Sequence, residues 1–190
     1  APDQSLVSKY ADDMTGEYLL QVTAPGETRI VLQGQGERIY KNHAEVCLPG
    51  VWCHLTMVYD GAEPNSGTLY MNGQKLEVTG VNESVSGALK DTDLALQIGR
   101  KLATAGPEQH FEGAIGLVSI WDVPMDEDEV QALTTEAVDL DHPALVAHYN
   151  FGAGVGETLV DISGQGNHGV IEGAEWRDEC PPTEPPVVCG

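Results

Sequence analysis

Apolar and polar positions alternate with period two along most of this chain. Gly, Pro, Asn and Asp break the alternation about every 8–12 residues, the spacing of short strands in a sandwich. The clearest stretch runs over residues 51–73, VWCHLTMVYDGAEPNSGTLYMNG. Leu55, Met57 and Tyr59 share one face of a first strand, and Asp60-Gly61 ends it. Leu69 and Met71 point one way in a second strand, Thr68 and Tyr70 the other. Asn72-Gly73 then predicts a tight hairpin turn, because both positions tolerate positive φ. Further strands are expected at Ser5–Lys9, Glu17–Thr23, Arg29–Leu32, Arg38–Tyr40, Leu96–Arg100, Phe111–Trp121, Ala144–Phe151, Val170-Ile171 and Ala174–Trp176. Residues 78–93 and 103–109 read as loops. One helix is expected near 126–134: Asp126 can cap it, Glu129 can complete a capping box, and Val130 and Leu133 face inward. The pattern predicts an all-β chain, a two-sheet antiparallel β-sandwich carrying one short helix.

A chain of 190 residues is long enough for one well-filled core. Residues 1–176 are expected to form a single domain, with 177–190 a Pro-rich C-terminal tail. Lys and Arg number 9 against 30 Asp and Glu, a formal net charge of -21. Such a surface repels nucleic acid and anionic lipid, so neither is expected as a partner. It suits cations, neutral sugars or a basic protein. No run of 18 apolar residues exists, so no membrane insertion is expected. No leader is visible at Ala1, as in a mature secreted chain or an excised fragment.

The motifs resemble those of the laminin-G-like jelly roll, within the concanavalin-A-like lectin/glucanase superfamily. Trp52-Cys53-His54-Leu55 through Tyr59-Asp60-Gly61, followed by Gly67-Thr68-Leu69-Tyr70-Met71-Asn72-Gly73, is similar to that family's W-x-H-L-x-x-x-Y-D-G and G-T-L-Y-x-N-G. Leu96–Arg100 resembles its strand ending in I-G. Phe111–Trp121 resembles its F-x-G-x-I-D-x-V-x-I-W strand, and Met125–Leu133 its short acidic helix. Residues 145–176, LVAHYNFGAGVGETLVDISGQGNHGVIEGAEW, resemble an element that opens the domain in many relatives and closes it here. The strand pair that usually precedes LVSKY has no counterpart, so either the chain is cut there or the C-terminal element takes its place, as in a circular permutation. The resemblance implies the jelly-roll fold and leaves activity open, because function resides in sites.

Four cysteines allow three pairings. The local one is favoured, Cys47 with Cys53 across Leu48-Pro49-Gly50, and Cys180 with Cys189 across the Pro-rich segment. Disulfides point to an oxidising compartment, and so to a secreted or cell-surface protein. Asn82-Glu83-Ser84 is a glycosylation sequon.

Calcium is the cofactor expected. DISGQGNHG offers Asp161, Ser163 and Asn167 as hard oxygen ligands, and its glycines let carbonyls converge. Family members hold calcium with this loop and an Asp of the F-x-G-x-I-D strand, and here that position is Gly116. The competing reading makes Asp161 and Asn167 turn residues that bond backbone N–H groups. Catalytic sets are thinner. The acids of the helix favour its dipole. Glu136, Asp139 and Asp141 approach the spacing of a glycosidase pair but lie outside any strand pattern. The histidines show no metal spacing, no G-x-S-x-G elbow exists, and a net-acidic chain suits an acidic-polysaccharide lyase poorly. The three tryptophans, Trp52, Trp121 and Trp176, are expected in the core. The favoured function is a secreted non-catalytic binding module for carbohydrate or an extracellular protein. The alternatives are a glycoside hydrolase or lyase with an unrecognised site, and a structural spacer of a larger surface protein.

Overall fold

The computed structural model describes residues 2–11, 15–24, 26–44, 47–64, 66–81, 85–103 and 108–177. The sequon at 82–84 and the tail with Cys180 and Cys189 lie outside the described residues. The chain runs β1 (Gln4–Lys9), β2 (Tyr18–Val22), β3 (Thr28–Gln33), β4 (Arg38–His43), β5 (Leu55–Val58), β6 (Thr68–Met71), β7 (Gln74–Lys75), β8 (Gly80–Val81), β9 (Gln97–Ile98), β10 (Arg100–Lys101), β11 (Gln109–His110), β12 (Val118–Trp121), α1 (Glu127–Ala132), β13 (Leu145–Tyr149), β14 (Thr158–Leu159) and β15 (Gly169–Val170). It is mostly antiparallel β with one short helix, as the alternation predicts. Internal contacts divide it into two units, Ala1–Gly113 and Ala114–Gly190.

The first unit is built on a six-stranded sheet in the order β8-β4-β3-β2-β1-β9 and a three-stranded sheet β5-β6-β7. Period-two alternation gives the larger sheet two different faces. Leu20, Ile30, Leu32 and Ile39 meet Leu69, Leu76 and Val85, and Leu55, Met57, Tyr59 and Met71 pack against that cluster. Each such side chain, removed from water, contributes about 1.5–3 kcal/mol, so this interlayer core dominates the unit's stability. On the other face, Tyr10, Leu19 and Val31 form a smaller cluster with Tyr40 against it. Register places Leu19 opposite Val31 and Val31 opposite Tyr40, and Gln21 opposite Arg29 and Arg29 opposite Asn42.

Local signals are met where the sequence placed them. Leu55 pairs Met71 and Met57 pairs Leu69, and Asn72 and Gly73 take φ of 51° and 77°. Cys47 and Cys53 form a disulfide with Cα atoms 5.8 Å apart, the local pairing favoured above. Glu17 is buried and ties three segments together: it pairs with Lys9 at 2.7 Å and accepts from the Thr92 N–H and hydroxyl at 2.8 Å each.

In the second unit β12 pairs with β13, and β14 with β15. The helix has its expected cap: Asp126 accepts from Glu129 N–H while Glu129 accepts from Asp126 N–H, and Val130 is buried. Three expectations are corrected. The strand expected over 111–121 is confined to 118–121. Residues 174–176 form no strand. None of the three tryptophans is fully buried; all are half-buried. Trp121 stands edge-on to the His142 ring with centroids 5.3 Å apart, and Trp176 donates to Gly156 C=O at 2.9 Å. Indole is large and carries an N–H that needs a partner, which favours such rim positions. No helix among the described residues is long and apolar enough to cross a membrane.

Candidate functional site

The loop after β14 gathers Asp161, Ser163 and Asn167 as the sequence suggested. Asp161 is 4% exposed. Its Oδ1 accepts from the N–H groups of His148 and Ser163, and its Oδ2 from Asn167 N–H, each at 2.9 Å. The Asn167 amide donates to Val146 C=O at 2.8 Å, and Tyr149 O–H donates to Asn167 C=O at 2.5 Å. Ser163 Oγ accepts from Gln165 N–H at 3.3 Å and donates to Val146 C=O at 3.5 Å. Burial pushes the Asp161 carboxyl up, but the bonds from His148, Ser163 and Asn167 outweigh it and hold its pKa near 2, against an ordinary 3.8.

This donor set does not fit a calcium ion. Three N–H dipoles point at the carboxylate, where a cation would have to sit, and they supply the positive partner themselves. The Asn167 and Ser163 side chains are turned to backbone groups of their own unit. Among the described residues no group of three or more His, Cys, Asp or Glu gathers at one point. The loop is a polar clasp that fastens residues 161–167 to β13.

The same neighbourhood bears on nucleophilic chemistry. Ser119 Oγ lies 2.8 Å from His148 Nδ1, and burial lowers the His148 pKa despite the nearby Asp161 charge. Asp161 meets the main-chain N–H of His148, so Ser, His and Asp form no relay of the kind that activates a serine. Glu136, Asp139 and Asp141 are exposed, in turns before β13. Asp139 caps one of those turns by accepting from Asp141 N–H at 3.1 Å.

A groove that the sequence reading missed lies on the outer face of the six-stranded sheet. It has a volume of about 370 Å3, within the range of small-molecule sites. Leu19, Gln21 and Val31 form its floor, Tyr10 and Tyr40 add aromatic surface, and Gln109 contributes a further amide. Arg29, Arg38 and Lys101 also line it, three of the chain's nine cations, with Asp3 the carboxylate among its described lining residues. Tyr40 is flanked by both guanidinium groups, Arg38 Cζ at 4.7 Å and Arg29 Cζ at 5.8 Å from the ring centroid. Arg38 Nη1 donates to Tyr10 O–H at 2.9 Å. Arg29 Nε donates to Asn42 Oδ1 at 2.7 Å, and its Nη1 lies 3.7 Å from Asp3 Oδ2. Burial, then Tyr10, raise the Tyr40 pKa, so the phenol stays protonated at neutral pH. Gln21 is 3% exposed, yet its Oε1 accepts no hydrogen bond. Its signal in the sequence was a polar residue within the apolar run Tyr18–Val22.

A laminin G family model, described as the concanavalin A-like lectin/glucanases superfamily, matches residues 1–131. No curated protein and no solved structure matches the chain. The matched span contains every strand that lines the groove and stops short of the Asp161 loop.

Proposed function

The chain belongs to the concanavalin A-like lectin/glucanases superfamily, and from that premise we propose that it is a secreted or cell-surface, non-catalytic module that binds carbohydrate. One observation carries the reading: the groove on the outer sheet face combines aromatic surface with a buried acceptor, Gln21 Oε1, that lacks a donor. A sugar supplies what such a site lacks. Its hydroxyls donate to orphan acceptors, and its C–H faces lie against Tyr rings. The Cys47–Cys53 disulfide supports an oxidising compartment.

An extracellular protein partner is the second reading. Leu48 and Val51, 65% and 59% exposed at the tip of the disulfide loop, favour it. A glycan array probed with the full chain, with and without EDTA, separates the two. Binding of a saccharide class that chelation does not abolish is expected. Silence across the array, together with capture of a protein partner that Leu48→Ser and Val51→Ser abolish, would overturn the carbohydrate reading.

A further inference from the structure

We propose that Gln21 and Arg29, at the floor of this groove, recognise an acidic sugar unit through one carboxylate and its neighbouring hydroxyl; this rests on the carbohydrate reading above. The two residues face each other directly across β2 and β3. Their needs are complementary. Gln21 Oε1 is a buried acceptor without a donor, a costly state for a native core. Arg29 carries five N–H donors; one bonds Asn42, and Asp3 forms a loose ion pair with Nη1 at 3.7 Å, beyond hydrogen-bond distance, which a ligand carboxylate must displace or share. The Arg29 side chain is 23% exposed, so its fork is reachable. A ligand that donates one hydrogen bond and accepts two, on adjacent atoms, satisfies both side chains at once. A carboxylate beside a hydroxyl has that arrangement.

A neutral sugar would satisfy Gln21 as well, so Arg29 decides the class. A guanidinium meets a carboxylate with two parallel bonds and an opposite charge, but meets a hydroxyl with one bond to a neutral acceptor. The overall charge of -21 argues the other way, but exposed charges beyond about 10 Å are largely screened at 0.1 M salt. Contact with Arg29 acts at hydrogen-bond distance and is not. The outcome is selective: an isolated carboxylate is held, while a densely charged polyanion spreads over acidic surface and is repelled. The Tyr40 ring, fixed beside Arg29 and Arg38, offers the sugar a wall to lie against.

The test is a titration of the isotope-labelled full chain, followed by NMR. The probes are an oligosaccharide ending in glucuronate, the same oligosaccharide ending in glucose, a heparin fragment and an aspartate-rich peptide. The glucuronate probe is expected to bind at least about tenfold more tightly than the glucose one and to shift Gln21 and Arg29. Arg29→Gln should weaken it about ten- to hundredfold, and Arg29→Lys should restore part of that loss. Gln21→Met should weaken it about tenfold without lowering the melting temperature, because the apolar isostere removes an unpaired acceptor. Equal binding of both sugar ends would overturn the acidic preference and leave the carbohydrate reading standing. Binding of the peptide alone would overturn both. Tightest binding of the heparin fragment, insensitive to Gln21→Met, would show a generic cation patch and defeat the proposal.

Discussion

Replacing Asp161 with Asn tests whether its carboxylate is a clasp closed by N–H groups or a ligand waiting for a cation. The change keeps an oxygen where His148 and Ser163 N–H point, but it sets an amide NH2 against Asn167 N–H. Each pKa unit is worth about 1.36 kcal/mol, so a carboxyl held near 2 against 3.8 contributes about 2 kcal/mol when ionised. Asn167 is exposed, so its N–H can turn to water, and its lost bond is already counted in that figure. The variant should therefore lose about 2 kcal/mol at pH 7. At about 2–4 °C per kcal/mol for a chain of this size, the melting temperature falls by about 4–8 °C. The sign with pH follows from linkage. The folded pKa is depressed, so the stabilisation is complete above the unfolded value and is lost as pH falls from about 5 towards 2. Urea unfolding of both proteins at a series of pH values, read by near-UV dichroism, should give curves that converge in that window. Parallel curves down to pH 2.5 would refute the reasoning. So would a fall in the wild-type melting temperature on adding EDTA that Asp161→Asn abolishes.

The Cys47→Ser/Cys53→Ser pair should cost about 2 kcal/mol, the loop-closure entropy of a bridge spanning 6 residues, read from urea midpoints. Burial holds the His148 pKa below 6.5, so stability should fall as pH drops below about 6.5, where the unfolded chain takes up protons first. His148→Gln should flatten part of that slope in pH-dependent melts, with His54, also held low by burial, accounting for the rest. Gly61→Ala should destabilise by roughly 1–3 kcal/mol, because φ is +69° and a Cβ there would meet the Gly87 carbonyl oxygen. Gly50→Ala, at φ +76° with open space around it, should cost only the backbone term of about 1 kcal/mol.

The parts legible in the sequence are those whose cause is local. Asn72-Gly73 adopts its turn because the two residues themselves tolerate positive φ. Asp126 and Glu129 close a capping box three residues apart. The 51–73 unit pairs in the register its alternation implies. The Asp161 loop was half legible: the three residues converge as expected, but whether oxygens face a cation or N–H groups face the oxygens depends on where β13 runs. The groove was not legible, because Tyr10, Gln21, Arg29, Tyr40 and Lys101 come from separate segments and meet only through sheet pairing. Read along the chain, each is one more polar or aromatic position on a solvated strand face. The tryptophans misled for the opposite reason: size and apolarity suggested the core, and the indole N–H and bulk placed them at its edge.

Composition averages hide where charge acts. With 30 acids against 9 bases, the whole chain reads as hostile to any anion, and that judgement holds for a polymer that samples the whole surface. A ligand the size of one sugar unit samples only the walls around it, and the acidic-sugar proposal rests on that difference. Arg29, Arg38 and Lys101 line one groove, and a ligand seated there lies within a Debye length of all three. If so, raising the ionic strength should act in opposite directions on two ligands. A single-carboxylate sugar, held by contact with Arg29, should lose a little affinity as the local attraction is screened. A sulfated polymer should gain affinity as repulsion from the acidic surface is screened. The two titrations, run from 0.05 to 0.5 M NaCl with about the same probe concentrations, should cross in slope. Parallel slopes would mean that the groove and the surface present the same field, and that the clustering of cations has no consequence for binding.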